Sequence, residues 1–479
     1  MATFGDLPLD LLDRVLMYLP DFNTLSSVLK TCKSIYGVFQ AHPKSIVQAI
    51  AFNIVGPALP EAVRLIAYEQ DSSPAEDDSE DGSVPPFSRS DTVILSDNAS
   101  VVSRLEALYS MSNKDRTAAS STLTDAESAR FTRAMYRLWE VLYLLLRDLN
   151  DEEIEAMDKA QEEAEEEGED EEDPGHADLI ARRSTNIRRY LNRFQNQELF
   201  EVDAVAYLLR DVVCWTDKAT NDTWGELWRA SSSTVELTIG VSANVYLARP
   251  DEILNKWLTE RHGWTPHHQG LSFSLPWTTL GDVLRSVFSG RHIDEAKRDA
   301  EVPKAILEQT VGQHDLCHRC YNSSRLWGKT NFSLFRGWMT KREICAALKG
   351  QLPRNTFETT ALQQHLTSRD SRGEVNFDWN RMFEELCETS SGEPVDSVWD
   401  KEHYYCKDCI ETLFRARLTA WWAAEKRRAP GAEVLTDCWY GYACRTQTHR
   451  AAHAQKLNHL CTPTRGDGYV PKGAGDDTA

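Results

Sequence analysis

Nine of the 11 cysteines fall between residues 301 and 465, and most sit in short spacings with one another or with histidine. No other feature restricts the fold of this part of the chain so strongly. The chain does not open with a basic segment followed by an apolar run, so we expect no secretory leader and an intracellular location, cytoplasmic or nuclear. Thiols stay reduced there, and clustered cysteines then read as metal ligands before disulfides. Cys317-His-Arg-Cys320 and Cys406-Lys-Asp-Cys409 are two C-x2-C knuckles. Zinc takes four ligands in a tetrahedron, and a tight turn carrying two thiolates supplies half of them. We expect these four cysteines to share one Zn2+, with the long segment between the pairs inserted. A redox C-x-x-C is the rival for a single pair, but two pairs without a thioredoxin-like βαβ pattern favour metal. The further pairs that a cross-braced RING domain needs are not found at the usual spacings.

A second constellation follows. Cys438-Trp-Tyr-Gly-Tyr-Ala-Cys444, then His453 and His459, gives C-x5-C-x8-H-x5-H within 22 residues. So short a segment has no room for an apolar core, and metal binding would supply most of its folding energy. His449 and Cys461 are replacement candidates for one of the ligands. We expect both sites to be closed by four protein ligands, which is the mark of structural zinc; catalytic zinc keeps an open position.

Charge locates the linkers. The net charge of the 479-residue chain is −21. Asp71–Gly82 carries −6 and Asp151–Asp173 carries −14, leaving −1 for everything else. A strongly acidic folded surface is therefore not implied. We expect a mainly α architecture: an N-terminal helical module over 1–45, a helical extension over 46–68, a disordered linker over 69–98, and helix over 99–150. An acidic disordered linker over 151–176 comes next, then a helical middle domain over 177–300 in which 263–300 resists assignment. The split four-cysteine region covers 301–430, the two-Cys two-His finger 431–462 and a disordered tail 463–479. In Ser128–Leu149 the apolar positions Phe131, Met135, Leu138, Leu142, Leu145 and Leu149 recur every three or four residues and mark one face of a core helix. Thr234–Leu247 has the best strand-like alternation. The longest apolar helix we read, Leu138–Leu149, is too short and too interrupted by charge to span a bilayer, so no membrane association is expected.

The N-terminus reads as three short helices. Pro8, Leu11, Leu12, Val15, Leu16 and Leu19 share a face of the first, and Pro8 suits its opening. Pro20 ends it. Asn23 or Thr24 can cap the second, with Leu25, Val28, Leu29 and Cys32 on its face. Three helices in about 40 residues bury too little surface alone, and apolar faces this rich need a partner.

Leu7-Pro8, the pair Leu11 and Leu12, Leu16-x-x-Leu19 and Cys32-Lys33 together resemble an F-box, over about a tenth of the chain. That resemblance implies docking on the Skp adaptor of a cullin–RING ubiquitin ligase, while the remainder recruits a protein substrate. The expected adaptor-binding residues are Leu7, Pro8, Leu11, Leu12, Val15, Leu16, Leu19, Leu25 and Leu29. The C-terminal constellation is similar to the poly-ADP-ribose-binding zinc finger through Cys438, Tyr440, Gly441, Cys444, His453 and His459. Where that family carries an aromatic-basic pair after its second cysteine, this chain has Arg445-Thr446. Tyr440 and Arg445 are the candidate ligand-binding residues which that similarity implies.

Ile410–Arg465 carries a net +5 among several aromatics, a composition also compatible with nucleic acid, although Trp421 and Trp422 read better as core. No metalloprotease helix, phosphate-binding loop, nucleophile elbow or dinucleotide fingerprint is present. The reading is a non-catalytic, F-box-type substrate-recruiting subunit with two structural zinc sites. Its rival is a zinc-finger binder of nucleic acid or poly-ADP-ribose. An adaptor needs Leu7, Pro8 and Leu12 exposed in the free chain; the rival needs them buried.

Overall fold

Pro8 lacks an N–H but its carbonyl accepts hydrogen bonds from Leu11 N and Leu12 N at 3.0 Å, which opens helix α1 (Leu9–Met17). Pro8 is therefore the cap rather than the first helical residue. Helix α2 (Phe22–Leu29) is capped by Asp21, whose Oδ1 accepts from Thr24 N at 2.6 Å, not by Asn23 or Thr24. Helices α3 (Lys33–Ala41) and α4 (Pro43–Val55) complete an arm with its own small core of Leu12, Leu16, Leu25, Ile35, Val38, Ile46 and Ile50. Helix α4 runs across the boundary expected at residue 45. Its N-terminal half closes the arm, and Ala51 and Val55 enter the next core.

The structure is a computed structural model that describes residues 7–69, 88–115, 117, 121–147, 184–220, 249–260, 275–310, 315–389, 399–429 and 435–466. The acidic linker 151–176, the alternating stretch Thr234–Leu247 and most of the linker 69–98 and of the tail 463–479 lie outside the described residues. The 69–98 assignment needs correction at its end. Ser88 and Asp91 form a capping box, each side chain bonding the other's backbone N–H, and start helix α6 (Arg89–Tyr109).

The middle core packs α4, α5 (Leu59–Glu69), α6, α7 (Asp125–Arg147), α8 (184–191), α9 (Asn196–Thr220) and α10 (Pro250–Thr259). Helix α11 (Leu275–Gly290) and the residues after α12 (Glu295–Glu301), from Val302 to Leu307, close it, so most of the segment that resists assignment is helical. Phe131, Met135, Leu138 and Leu142 are all buried, as their spacing implies. Pro43–Tyr68, rather than Leu138–Leu149, is the run long and apolar enough to cross a membrane. Half of it is buried in the protein, and a turn at Gly56–Ala58 separates α4 from α5.

The C-terminal region has a separate, aromatic core that includes Trp327, Phe332, Phe335, Phe383, Phe414 and Trp421. Its helices are α13 (Lys341–Ala346), α14 (Thr356–Leu366), α15 (Trp379–Glu388), α16 (Lys407–Arg428) and α17 (Ala451–Lys456). The paired strands among the described residues are β1 (Leu326–Trp327) and β2 (Tyr405–Cys406), which are antiparallel with Leu326 opposite Cys406.

Several contacts join the two cores: Leu334 enters the middle core beside Phe332 and Phe335, Val375 N donates to Leu258 O at 2.8 Å, and a buried ion cluster forms around Glu260. Glu260 ends α10 in the left-handed region, with φ 42°, and its carboxylate is fully buried. It meets Arg336 at 3.2 Å and Lys341 at 2.5 Å, and its carbonyl accepts from Arg369. Lys341 also donates to the Ala219 carbonyl at the end of α9. Glu260→Ala would leave two cations buried without their anion, so it should cost about 3–5 kcal/mol of unfolding free energy in urea. Glu402→Ala, at an exposed ion pair with Lys329, should cost about 0–1 kcal/mol. Equal midpoints for the two variants would contradict the junction's role.

Candidate metal centres

The first centre is assembled by backbone hydrogen bonds. Cys317–Cys320 forms a turn in which Tyr321 N donates to Cys317 O at 2.8 Å and Cys317 N to Asn322 O at 3.0 Å, with Tyr321 at φ 58°. His318 N donates to Tyr404 O at 3.1 Å, and β1 pairs with β2, which brings the second knuckle alongside. Cys406 is the N-cap of α16 and Cys409 lies in its first turn, so both sulfurs sit at the positive end of a 22-residue helix. That position favours thiolates.

Sγ of Cys317 lies 3.6 Å from that of Cys409, and Sγ of Cys320 lies 3.5 Å from that of Cys406. All four sulfurs lie within 4.8 Å of one another. Sulfurs bound to one tetrahedral zinc sit roughly 3.8 Å apart, so the donor set fits a single metal. The close contacts cross between knuckles, as a shared site requires. Burial disfavours the Cys317 thiolate, but the N–H groups of Cys320, Cys406 and Arg319 outweigh it and bring this thiol down to about 7. Burial and the neighbouring thiols push Cys409 strongly up. A dication bound among the four would reverse that mutual opposition.

The second centre gathers Cys438, Cys444, His453 and His459, again within 4.8 Å. His453 Nε2 is 3.4 Å from Cys444 Sγ and 3.9 Å from Cys438 Sγ. His459 is wholly buried, and neither ring nitrogen has a partner in good hydrogen-bond geometry, the Leu457 backbone being a polar neighbour. Buried polar atoms are seldom left so, and a metal ion would satisfy one of them. Burial, then His453 beside it, pushes the His459 imidazole below its ordinary value, towards the neutral form a ligand needs. The replacement ligands drop out: Cys461 Sγ faces the carbonyls of Cys438 and Asn458 at 3.4 Å, and His449 is exposed. Gly441 is required here, because at φ 41° an added Cβ would fall 2.1 Å from Cys461 O.

Sequence reasoning treats this finger as free-standing, yet it leans on its neighbour. Gln351 N donates to Tyr442 O at 2.8 Å, and the buried Asn355 and Gln447 side chains bond at 2.9 Å. Leu460 and Tyr442 pack on the aromatic core. Gln447 carries no spacing signal, and Asn355 reads only as a helix cap; Gly350, at φ 63° and pressed on Tyr442 O, marks the contact best.

The other candidate residues divide. In the arm, Leu7, Pro8 and Leu11 are exposed, Val15, Leu19 and Leu29 are half-buried, and Leu12, Leu16 and Leu25 are buried in the arm's own core. The single face expected for α1 is two faces, one turned inward and one outward. Leu9, which the sequence pattern passes over, is 65% exposed. Tyr440 is half exposed, with its ring against Gly466, and Arg445 is exposed at the start of a short turn. Trp439 is more exposed than Tyr440 and carries the Arg465 guanidinium 4.0 Å from its ring centre. Trp421 and Trp422 are core.

Metal analysis of the purified full chain should find about two equivalents of a divalent ion, because each closed four-ligand set holds one. Cys409→Ser and Cys444→Ser should each remove one. Acidification should release both ions, since thiols and imidazoles must shed protons to bind metal. Full retention of both ions in either variant would contradict the assigned ligands.

No family model, characterised relative or solved structure matches this chain, so its function has to be argued from these two centres and the N-terminal arm.

Proposed function

We propose that the chain is a non-catalytic substrate-recruiting subunit of an F-box-type ubiquitin ligase, and that both Cys/His centres hold structural zinc. The observation that carries the reading is the outward face of the arm. The first four helices have a core of their own, yet Leu7, Pro8, Leu9 and Leu11 remain in solvent beside one another in sequence. A run of exposed apolar side chains at the start of a helical arm is a docking surface by chemistry, because contact with a partner removes it from water. The Skp adaptor of a cullin–RING ligase is the partner that the F-box resemblance supplies. The expected discriminator divides: Leu7 and Pro8 are exposed as an adaptor requires, but Leu12 is buried with Leu16 and holds the arm's shape, so in this reading the contact falls to the outward residues.

Zinc is favoured over other divalent ions by the donor sets, four sulfurs in one centre and two sulfurs with two imidazoles in the other. With four protein ligands around each, neither centre keeps a position for substrate, which supports a scaffolding role. The C-terminal region would then present a rigid surface to the recruited protein.

A second reading, a binder of nucleic acid or poly-ADP-ribose, draws on exposed Trp439 and Tyr440 with Arg465 over the first ring. Co-expression with the Skp adaptor separates the two. The full chain should co-purify with it, and Leu9→Glu combined with Leu11→Glu should reduce recovery at least about tenfold, the loss of roughly one buried leucine contact or more. The same variant should keep its melting temperature, since both residues are solvent-exposed. Equal recovery by variant and parent would contradict the adaptor reading. Retention of an RNA oligonucleotide in place of the adaptor, lost in Tyr440→Ala, would support the second.

A further inference from the structure

Every buried carboxylate among the described residues has a cation beside it. Glu61 faces Arg137, Glu127 faces Lys114, Asp203 faces Arg298 and Glu358 faces Lys426, and the same holds for Glu140, Glu201, Glu260 and Glu425. This is the ordinary way to bury charge. Glu106 of α6 is a less buried acid and, like the half-buried Asp13 and Asp21, has no such cation; unlike them it lines a cavity. It is half-buried, its Oε2 accepts from Ser128 Oγ at 2.9 Å, and the Thr132 hydroxyl also bonds it. No Lys or Arg among the described residues pairs with it. Burial accordingly raises its pKa, with the two hydroxyls opposing.

Glu106 lines a cavity of about 350 Å³ between α6, α7 and the turn at Gly56–Ala58. A second carboxylate, Asp125, lies in the lining, with the hydroxyls of Ser103, Ser128 and Thr132, and the lining contains no cationic side chain. Ile54, Pro57 and Val102 make the opposing apolar wall. A carboxylate with hydroxyls at one side and hydrocarbon at the other matches one ligand chemistry: an ammonium on a short aliphatic stem. Its three N–H donors meet one charged and several neutral oxygens, and the methylenes meet the apolar wall. Two carboxylates are too few for a calcium site, and no three metal-binding groups converge here.

We propose that this cavity binds an alkylammonium group, carried either by a lysine side chain of a bound protein or by a free amine. It does not rest on the adaptor reading. In an adaptor it would be a place where a recruited protein is read through one lysine.

Calorimetric titration of the metal-loaded full chain tests this with three probes: n-butylamine, blocked lysine (N-acetyl-lysine methylamide) and blocked norleucine, which keeps the stem and lacks the charge. Blocked lysine should bind at least about tenfold more tightly than blocked norleucine, and Glu106→Gln should remove that difference, as expected when one charge-assisted hydrogen bond is lost. Gln keeps an acceptor for Ser128 and Thr132, so the melting temperature should hold or rise. Blocked lysine tighter than n-butylamine points to a protein lysine; equal affinities point to a free amine. Equal binding of lysine and norleucine would overturn the proposal. So would a Glu106→Gln variant that melts lower while binding the amine unchanged, because the carboxylate would then only brace α6 against α7. Co-purification of the Skp adaptor with Glu106→Gln should be unaffected, which keeps a failure here distinct from a failure of the adaptor reading.

Discussion

Four sulfurs drawn from two distant knuckles converge in the C-terminal region, a set that could hold one metal ion and fix its register. Cys317 meets Cys409 across 92 positions of sequence, and Cys320 meets Cys406 across 86. The closure entropy of so long a loop grows only slowly with length, but contacts between protonated thiols give little to set against it. A metal bound there would replace them with bonds that exist only in the folded arrangement. The consequences run outward from there. Fixing Cys406 and Cys409 fixes the start of α16, whose next turns place Leu413, Phe414, Leu418 and Trp421 in the aromatic core. Further along, Trp422 and Lys426 hold Glu358 of α14.

The finger depends on that scaffold. It brings its own four ligands, but Tyr442 and Gln447 reach the backbone of Gln351 and the side chain of Asn355. A metal bound by those four would therefore position Trp439, Tyr440 and Arg445 relative to a larger body. At the other end, Glu260 ties the aromatic core to the middle helices through Arg336 and Lys341. The N-terminal arm reaches the middle core through α4, whose two halves serve two cores.

The two Cys/His clusters were legible in the sequence because ligand chemistry restricts residue type and spacing together. Two C-x2-C pairs and a C-x5-C-x8-H-x5-H run leave few other uses, and the eight residues converge as two sets. The face of α7 was legible for a similar reason, since burial at helical period needs apolar residues at Phe131, Met135, Leu138 and Leu142. The inward and outward leucines of α1 were not separable, because Leu11 and Leu12 are the same residue type and only packing distinguishes them. Asp21 was passed over as a cap because Asn23 and Thr24 are equally suitable types nearby. Glu260, Arg336, Lys341 and Glu106 carry no periodic or spacing signal at all. In a chain with 27% charged residues, which acid is buried and which is solvated is decided by tertiary contact.

X-ray absorption at the zinc edge, on full-length protein purified without added metal, tests the central claim most directly. One four-sulfur centre and one centre with two sulfurs and two imidazoles should average to about three sulfurs near 2.3 Å and one nitrogen near 2.0–2.1 Å per zinc. In Cys444→Ser, with the finger emptied, the shell should become all sulfur. A shell dominated by oxygen, or one that loses its sulfur in that variant, would contradict a metal shared by Cys317, Cys320, Cys406 and Cys409.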